Sequence, residues 1–579
     1  MGNVVDVPMS DRKPYHAEAM SSVSRRRFLR HLAAAASGTT LLVACGPAAP
    51  PASPTAAQPA ATRPPTQEPA ARPTTVAAGP TPAPTTATAA GTPGGVKIYR
   101  VGLSGDATEL DPVKSTTEAN QPPSEALYNY VGRYTYHPPL GTQIMPELAE
   151  SWEVQDGAKT FIFHLRKGAK FHGGYGEVTA DDVKWNWERI KDPKTASAGG
   201  PDWAGSTLTV LDPNTLKVTF EQPYPAFLGA TVGYGYAMIV SPKAYQDVGD
   251  KWSSHPIGSG PFVFDSAQPG SNLVLKRNPD YWGTKPKIDQ IEFRMKVDDR
   301  TALLAVGKGE LDAFYVSDPD VAIEASRTTD PNVRFVKSAF GQSPFTLWFN
   351  MRRKPLDDVR VRQALRYAID SAAIARDLFG GLADPISSYL PPWMFGFSDK
   401  VTRFDYNPDK ARQLLKDAGV AADWQPSMVS QAILPICRRI TEAIASYWTD
   451  IGVKVQNDSL DQGLIVKRSA ANDFDMYGTY ISRVDPDQLT ARFWRSTGSG
   501  NRSGYTAADD LIDKIRSEAD PTARAGLYGQ LQEKLSMDSP AAFVVAVSEH
   551  LLLNKRVTGE EGAGWLERLD WFDADVPAE

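Results

Sequence analysis

From Val96 onward, apolar and polar positions alternate with two different periods. In Thr160-Phe161-Ile162-Phe163-His164-Leu165-Arg166 the period is two, so Phe161, Phe163 and Leu165 share one face of a predicted strand. Lys97-Ile98-Tyr99-Arg100-Val101 reads as another strand. Residues 208–211 and 216–220 form a pair joined by the turn Asp212-Pro213-Asn214-Thr215. Elsewhere the period is helical. Val183, Trp187 and Ile190 form one stripe, in a helix that Thr179 caps and whose first turn carries Asp181 and Asp182, the charge sign a helix N-terminus favours. Val361, Ala364, Leu365, Ala368 and Ile369 form a second stripe. Further helices are predicted over 408–418, 436–451, 507–518 and 522–537, with strands at 345–349 and 542–547 between them. Alternation of this kind is the pattern of an α/β fold. No short internal repeat is present.

The first 95 residues carry no such pattern. Ser24-Arg25-Arg26-Arg27-Phe28-Leu29-Arg30 precedes an apolar run over 32–44, which ends Leu42-Val43-Ala44-Cys45-Gly46. Arg25, Arg26, Phe28 and Leu29 match a twin-arginine export signal. The run is too short and Ala-rich to span a bilayer comfortably. Its small residues before a single cysteine resemble a bacterial lipoprotein signal, in which Cys45 is acylated and becomes the mature N-terminus. Two acyl chains satisfy the two-signal requirement for stable anchoring. Met20 offers an alternative start to Met1. Residues 46–95 are mostly Pro, Ala and Thr, with Val76 the lone large aliphatic, so the segment cannot bury enough surface to order itself and reads as a stiff tether. The expected division is therefore a signal at 1–44 and a lipidated, disordered tether at 45–95.

Composition narrows the classes. Charged residues are 22% and hydrophobic residues 41%, ordinary globular values for a soluble body. The net charge of −6 lacks the basic footprint of a nucleic-acid binder. Of the two cysteines, Cys437 is left alone once Cys45 is acylated, so no disulfide forms within the mature chain. Cys437 lies on a predicted helix and reads as a buried structural thiol. The seven histidines form no close ligand pair, and no metal or cofactor is expected. Gly-x-Ser-x-Gly, His-Glu-x-x-His and Walker sequences are absent, which leaves no recognisable catalytic centre.

Six segments in order resemble the extracytoplasmic solute-binding proteins of the peptide and nickel class, family 5, which serve ABC importers. They are Met145-Pro146-Glu147-Leu148-Ala149-Glu150-Ser151-Trp152, continuing through Phe171-His172-Gly173-Gly174 to Thr179-Ala180-Asp181-Asp182; Pro256-Ile257-Gly258-Ser259-Gly260-Pro261-Phe262; Lys276-Arg277-Asn278-Pro279-Asp280-Tyr281-Trp282-Gly283; Gly309-Glu310-Leu311-Asp312; Val359 to Asp370; and Tyr406 to Gly419. The resemblance implies a two-lobed periplasmic-binding-protein fold with a hinged cleft and an additional domain inserted in the first lobe. On this chain that puts lobe one at 96–140, 255–340 and 545–579, the insertion at 141–254 and lobe two at 341–544, with hinges near 255–262 and 340–350. It also implies a monomer at the outer face of the cytoplasmic membrane that captures a peptide or small molecule and passes it to an ABC permease. Its rivals are a surface sensor or adhesin that reuses the fold, and a glycan hydrolase with an unfamiliar site.

The resemblance places the lobe-two side of the cleft at Phe474 to Asp487. Peptide-binding members carry Gly-Trp here and then an aspartate, three residues before Asp-Pro-Asp, that pairs with the peptide α-ammonium. This chain keeps Gly478 and Asp485-Pro486-Asp487, but has Thr479 for the tryptophan and Ser482 for the aspartate. A buried ammonium without its carboxylate costs roughly 3–5 kcal/mol. Either another acid such as Asp485 substitutes, or the ligand has no free amino terminus. Arg483 fits an anionic or hydroxyl-rich ligand, or braces the loop by pairing with Asp485 or Asp487. Tyr480, Trp393 and Trp494 are candidate stacking surfaces, each also a candidate core residue. The Gly-rich run 498–504, before a helix expected to be capped by Thr506, is either an anion contact or a surface loop.

Overall fold

The structure, a computed structural model, describes residues 95–560 and 572–579, except 116, 138–140, 338–342, 433, 482 and 549. The export signal, Cys45 and the tether lie outside the described residues.

Two large sheets define two lobes. The first is seven-stranded, in the order Val333–Val336, His550–Asn554, Ala313–Val316, Ile98–Gly102, Gln290–Arg294, Asn272–Arg277, Phe262–Gln268. Its centre is parallel and its outer pairs are antiparallel. The second is six-stranded, in the order Asp384–Pro385, Ala541–Val547, Ser343–Phe349, Met476–Tyr480, Ser427–Gln431, Gln456–Leu460. Ser343–Phe349 is buried at every position, as a central strand covered on both faces must be. Helix Val359–Tyr367 buries Val361, Ala364 and Leu365, the stripe read from sequence.

A four-stranded antiparallel sheet forms the core of the inserted region, in the order Ala149–Gln155, Thr160–Leu165, Thr215–Phe220, Ser206–Asp212. Phe161, Phe163 and Leu165 point into it. Helix Ala180–Lys191 lays Val183, Trp187 and Ile190 against it, with the Trp187 ring 5.5 Å from Phe163 and 4.8 Å from Trp203. Thr179 and Asp182 form a reciprocal capping box at the start of that helix, which fixes the register of the buried stripe.

The first sheet's strand ending at Val336 is followed by the second sheet's strand beginning at Ser343, and the second sheet's strand ending at Val547 is followed by the first sheet's strand beginning at His550. The return lies beyond the expected 545, because strand Ala541–Val547 stays paired with Ser343–Phe349 to its end. The segment 255–262, read from sequence as a hinge, instead joins the inserted region to strand Phe262–Gln268 of the first lobe and is pinned there. A carbon added at Gly260 would sit 2.5 Å from the Leu127 carbonyl carbon, and one at Gly258 would fall on the Leu127 oxygen. Only glycine permits backbone to pass backbone this closely.

Candidate binding cleft

Strands Ser427–Gln431 and Met476–Tyr480 run parallel as neighbours, yet the chain leaves them in opposite directions. From the first it runs through helix Pro435–Asp450 to Gln456–Leu460 on one side. From there helix Gln462–Ala470 brings it back to Met476–Tyr480 on the other. In open α/β sheets the crevice outside the carboxyl ends of such strands is where ligands bind. Here that crevice is bordered by Gln431, Tyr480 and residues 483–485.

The expected site residues divide in this setting. Gly478 is a packing position, since a carbon added there would lie 2.9 Å from Phe345 and 3.0 Å from Thr441 of helix Pro435–Asp450. Thr479 is buried beside that helix, and its hydroxyl lies 3.9 Å from the Cys437 sulfur. Burial pushes the Cys437 thiol up to about 11, which keeps it protonated and inert. Tyr480, at the end of the strand, and Arg483, in the loop beyond it, are half-buried at the crevice. Ser482 lies outside the described residues. Trp393 is half-buried and packs with Tyr134, Ile144, Tyr234 and Val484, side chains drawn from both sides of the crevice.

Trp494 does not belong to this group. It is 1% exposed, among Trp348, Tyr389 and Phe543, in the core of the second lobe. Leu489, Phe493 and Trp494 fall on one helical face, so its burial follows from the phase of helix Pro486–Phe493. The helix after the Gly-rich run also departs from expectation. It spans Asp509–Ser517 with Ala508 at its N-cap and no side-chain cap, and Asp509 instead accepts from the Ser496 backbone N–H at 2.8 Å. The run itself is braced: Asn501 Nδ2 donates to Tyr505 O at 2.7 Å, and Asn501 Oδ1 accepts from Gly504 N at 2.9 Å.

Asp485 is the N-cap of helix Pro486–Phe493. Its carboxylate accepts from Asp487 N at 2.9 Å, and the Gln488 side chain completes a capping box. Burial pushes its carboxyl up to about 7, and the neighbouring Asp487 pushes in the same direction. Asp487 pairs with Arg516 at 3.1 Å. Sequence reading missed the inserted-region residues that meet this helix end, namely Asp202, Tyr224, Ala230 and Tyr236. The legible signal was the Asp-x-x-Gln spacing itself, a capping-box pattern.

No group of three or more His, Cys, Asp or Glu able to hold a metal occurs among the described residues, and none of their helices is long and apolar enough to cross a membrane. An open groove of about 740 Å³ beside Arg166, Asn214 and Trp282 shares no residue with the cleft strand or its loop.

Comparison with known proteins turns this geometry into an assignment. The model of the bacterial extracellular solute-binding proteins, family 5 Middle, matches residues 143–501. The chain belongs to this family. It is 30% identical over 452 residues to the dipeptide-binding protein of Escherichia coli (strain K12), covering 72% of this chain and 84% of that protein. It is 28% identical over 450 residues to heme-binding protein A of Haemophilus influenzae, covering 72% and 82%. Among solved structures, AgaA from A. tumefaciens R10, in complex with agropinic acid, superposes with a TM-score of 0.70 at 26% identity, over 83% of this chain and 99% of that one. The family 5 chain is thus a two-lobed, extracytoplasmic solute-binding receptor of an ABC importer, and its relatives are binding proteins. Its permease partner and its small-molecule or peptide ligand follow from that membership.

Proposed function

We propose that this receptor is held at the outer face of the cytoplasmic membrane by an acylated Cys45 and the 46–95 tether. In its cleft it captures a small solute without a free amino terminus, of the opine, blocked-peptide or oligosaccharide kind, and passes it to the permease. Lobe one comprises about 96–140, 255–340 and 548–579, the inserted domain 141–254 and lobe two 341–547. The observation that carries the ligand reading is the position of Asp485. It is the first acid along the chain after Ser482, and it is occupied as a helix cap with its carboxyl pushed up to about 7. The loop offers Arg483 and Ser482 in place of a carboxylate. AgaA, with agropinic acid bound, supports the capacity of this fold to take such a solute.

Native mass spectrometry of the purified chain tests this, together with melting temperatures against free dipeptides, N-acetylated dipeptides, opines and oligosaccharides. A ligand at about 100 times its Kd stabilises by about 2.7 kcal/mol, enough for a clear shift. The expected result is a shift with blocked or anionic compounds and none with free dipeptides; tight binding of a free dipeptide overturns the ligand reading. The anchor is tested separately. Cys45→Ala should release the protein from membranes, and retention of that variant on the membrane overturns acylation at this residue.

A further inference from the structure

The second lobe touches the inserted domain where helix Pro486–Phe493 begins. Gln488 Nε2 donates to Ala230 O at 2.8 Å across the boundary. Arg516, which pairs with Asp487 at 3.1 Å, lies 4.9 Å from the centre of the Tyr224 ring. On the inserted side, the Tyr236 hydroxyl donates to Asp202 at 2.8 Å. Gly229 approaches the Asp485 carboxylate so closely that no side chain fits between them. Asp485 and Asp487 from one lobe and Asp202 from the other therefore share one interface. The charges facing them are Arg516 at Asp487, Arg524 toward Asp485 and Arg492 toward Asp202. The hydroxyls around them are those of Tyr224, Tyr236 and Tyr528, with Tyr134 beside Gly229.

We propose that closure of the second lobe onto the inserted domain is proton-linked: the interface takes up protons as it forms, so capture of the solute strengthens as the medium acidifies. The inference rests on side chains of the two lobes meeting at one place, and it concerns closure, whatever the solute. When the lobes part, water reaches Asp485 and Asp202, whose carboxyls return to the ordinary value of about 3.9. When they meet, burial pushes Asp485 up to about 7 and Asp202 up to about 6. The joined form therefore binds more protons than the parted form between about pH 4 and pH 7. Joining weakens as pH rises through that window and levels off about one unit above it, with a slope of about 25-fold per pH unit near pH 6.

Amide hydrogen exchange on the ligand-free full chain, corrected for the intrinsic pH dependence, tests the proposal at pH 5.5 and 7.5. Protection of Leu228–Val232 and Pro486–Phe493 should fall about tenfold or more at the higher pH, while strand Ala313–Val316 stays unchanged. Asp485→Asn keeps a good N-cap and cannot ionise, and with Asp202→Asn it should flatten the dependence. If the double variant folds poorly, Asp202→Asn alone should reduce the slope. Equal wild-type protection at the two pH values, or a slope unchanged in the variants, overturns the proposal. Because no ligand enters this experiment, its failure leaves the solute-receptor reading intact, and failure of the ligand panel leaves this result intact.

Discussion

The inserted domain has two borders, and they differ in whether backbone bonds to backbone across them. Toward its own lobe the border joins backbone to backbone and adds ion pairs, Arg189 with Asp111 and Arg133 with Glu147. His172 N donates to Gly258 O at 2.8 Å, and the His172 ring nitrogens lie 3.0 Å from Gly260 O and 3.3 Å from Gly258 N, while on the lobe side Gly260 N donates to Leu127 O at 2.9 Å and holds that segment in place. Asn129 donates to Glu147 across the border, and on the lobe side Ser259 Oγ donates to Asn129 and Asn278 donates to Gly260 O. Toward the second lobe the border is carboxylates, guanidiniums and tyrosines, with one amide hydrogen bond from Gln488. The first border is tied by backbone hydrogen bonds, including Leu148 N to Tyr130 O at 3.1 Å and Ile239 N to Asn129 O at 2.9 Å. The second is held by side chains, the amide of Gln488 and the cluster of Tyr134, Val484 and Trp393 among them. A binding protein needs both kinds: one that makes two domains a single rigid lobe, and one that opens.

The sharpest way to break this contrast is at the tight border. In Gly260→Ala the added carbon would lie 2.5 Å from Leu127 C and 2.6 Å from Ala126 O, both backbone atoms that cannot rotate away. The expected cost is about 3 kcal/mol, the upper range for overpacking, read by urea denaturation. A loss below about 1 kcal/mol would mean that this crossing is loose after all.

The next largest effect concerns pH, and its sign separates the two borders. Burial pushes the His172 imidazole down to about 4. Above about pH 6.5 it is neutral whether the chain is folded or unfolded, so it contributes no pH dependence. Between about pH 6.5 and 4 the unfolded chain takes the proton and the folded chain does not. Acidification therefore weakens the tight border, by up to about 3 kcal/mol at pH 4. The same acidification strengthens the border between the lobes, where the carboxyls are pushed up rather than down. His172→Gln should cost about 1–2 kcal/mol at pH 7 and remove the His172 share of the acid limb of stability. A variant whose acid limb matches wild type would show that His172 protonates freely in the folded state.

How much of this was legible in the sequence follows the range over which each signal acts. The period-two run at Phe161, Phe163 and Leu165 and the stripe at Val183, Trp187 and Ile190 are local, and the structure places them as read. Glu147, His172, Gly258, Gly260 and Asn278 stood out individually as parts of motifs, but nothing in their spacing says that they meet. They converge only when the inserted domain docks, and they then read as one hydrogen-bonded joint. The location of the hinge was misread for the same reason: glycines at 258 and 260 suit either a pivot or a tight crossing, and only the Leu127 backbone beside them decides. The interface between the lobes was the least legible part, since Asp202 and Asp485 lie far apart in the chain and neither belongs to a pattern that points to the other. Asp485 was read as one candidate ligand acid, and its spacing to Gln488 is also that of the capping box it forms.

The smallest predicted effect tests whether the border between the lobes is separable at all. Gln488→Ala removes the amide that reaches Ala230 O and weakens the cap at Asp485, whose N–H reaches Gln488 Oε1 at 3.4 Å. The hydrogen bond across the boundary exists only when the lobes meet. Its loss should lower affinity for the solute found by the ligand panel by about fivefold, equivalent to about 1 kcal/mol, and shift the urea midpoint only by the smaller cap contribution. A fixed border predicts the reverse, with the full loss appearing in the urea midpoint and none in affinity. The amide does not titrate, so the fivefold factor should be the same at pH 5.5 and pH 7.5. A factor that changed with pH would mean that Gln488 acts by tuning the neighbouring carboxyls rather than by bridging the lobes.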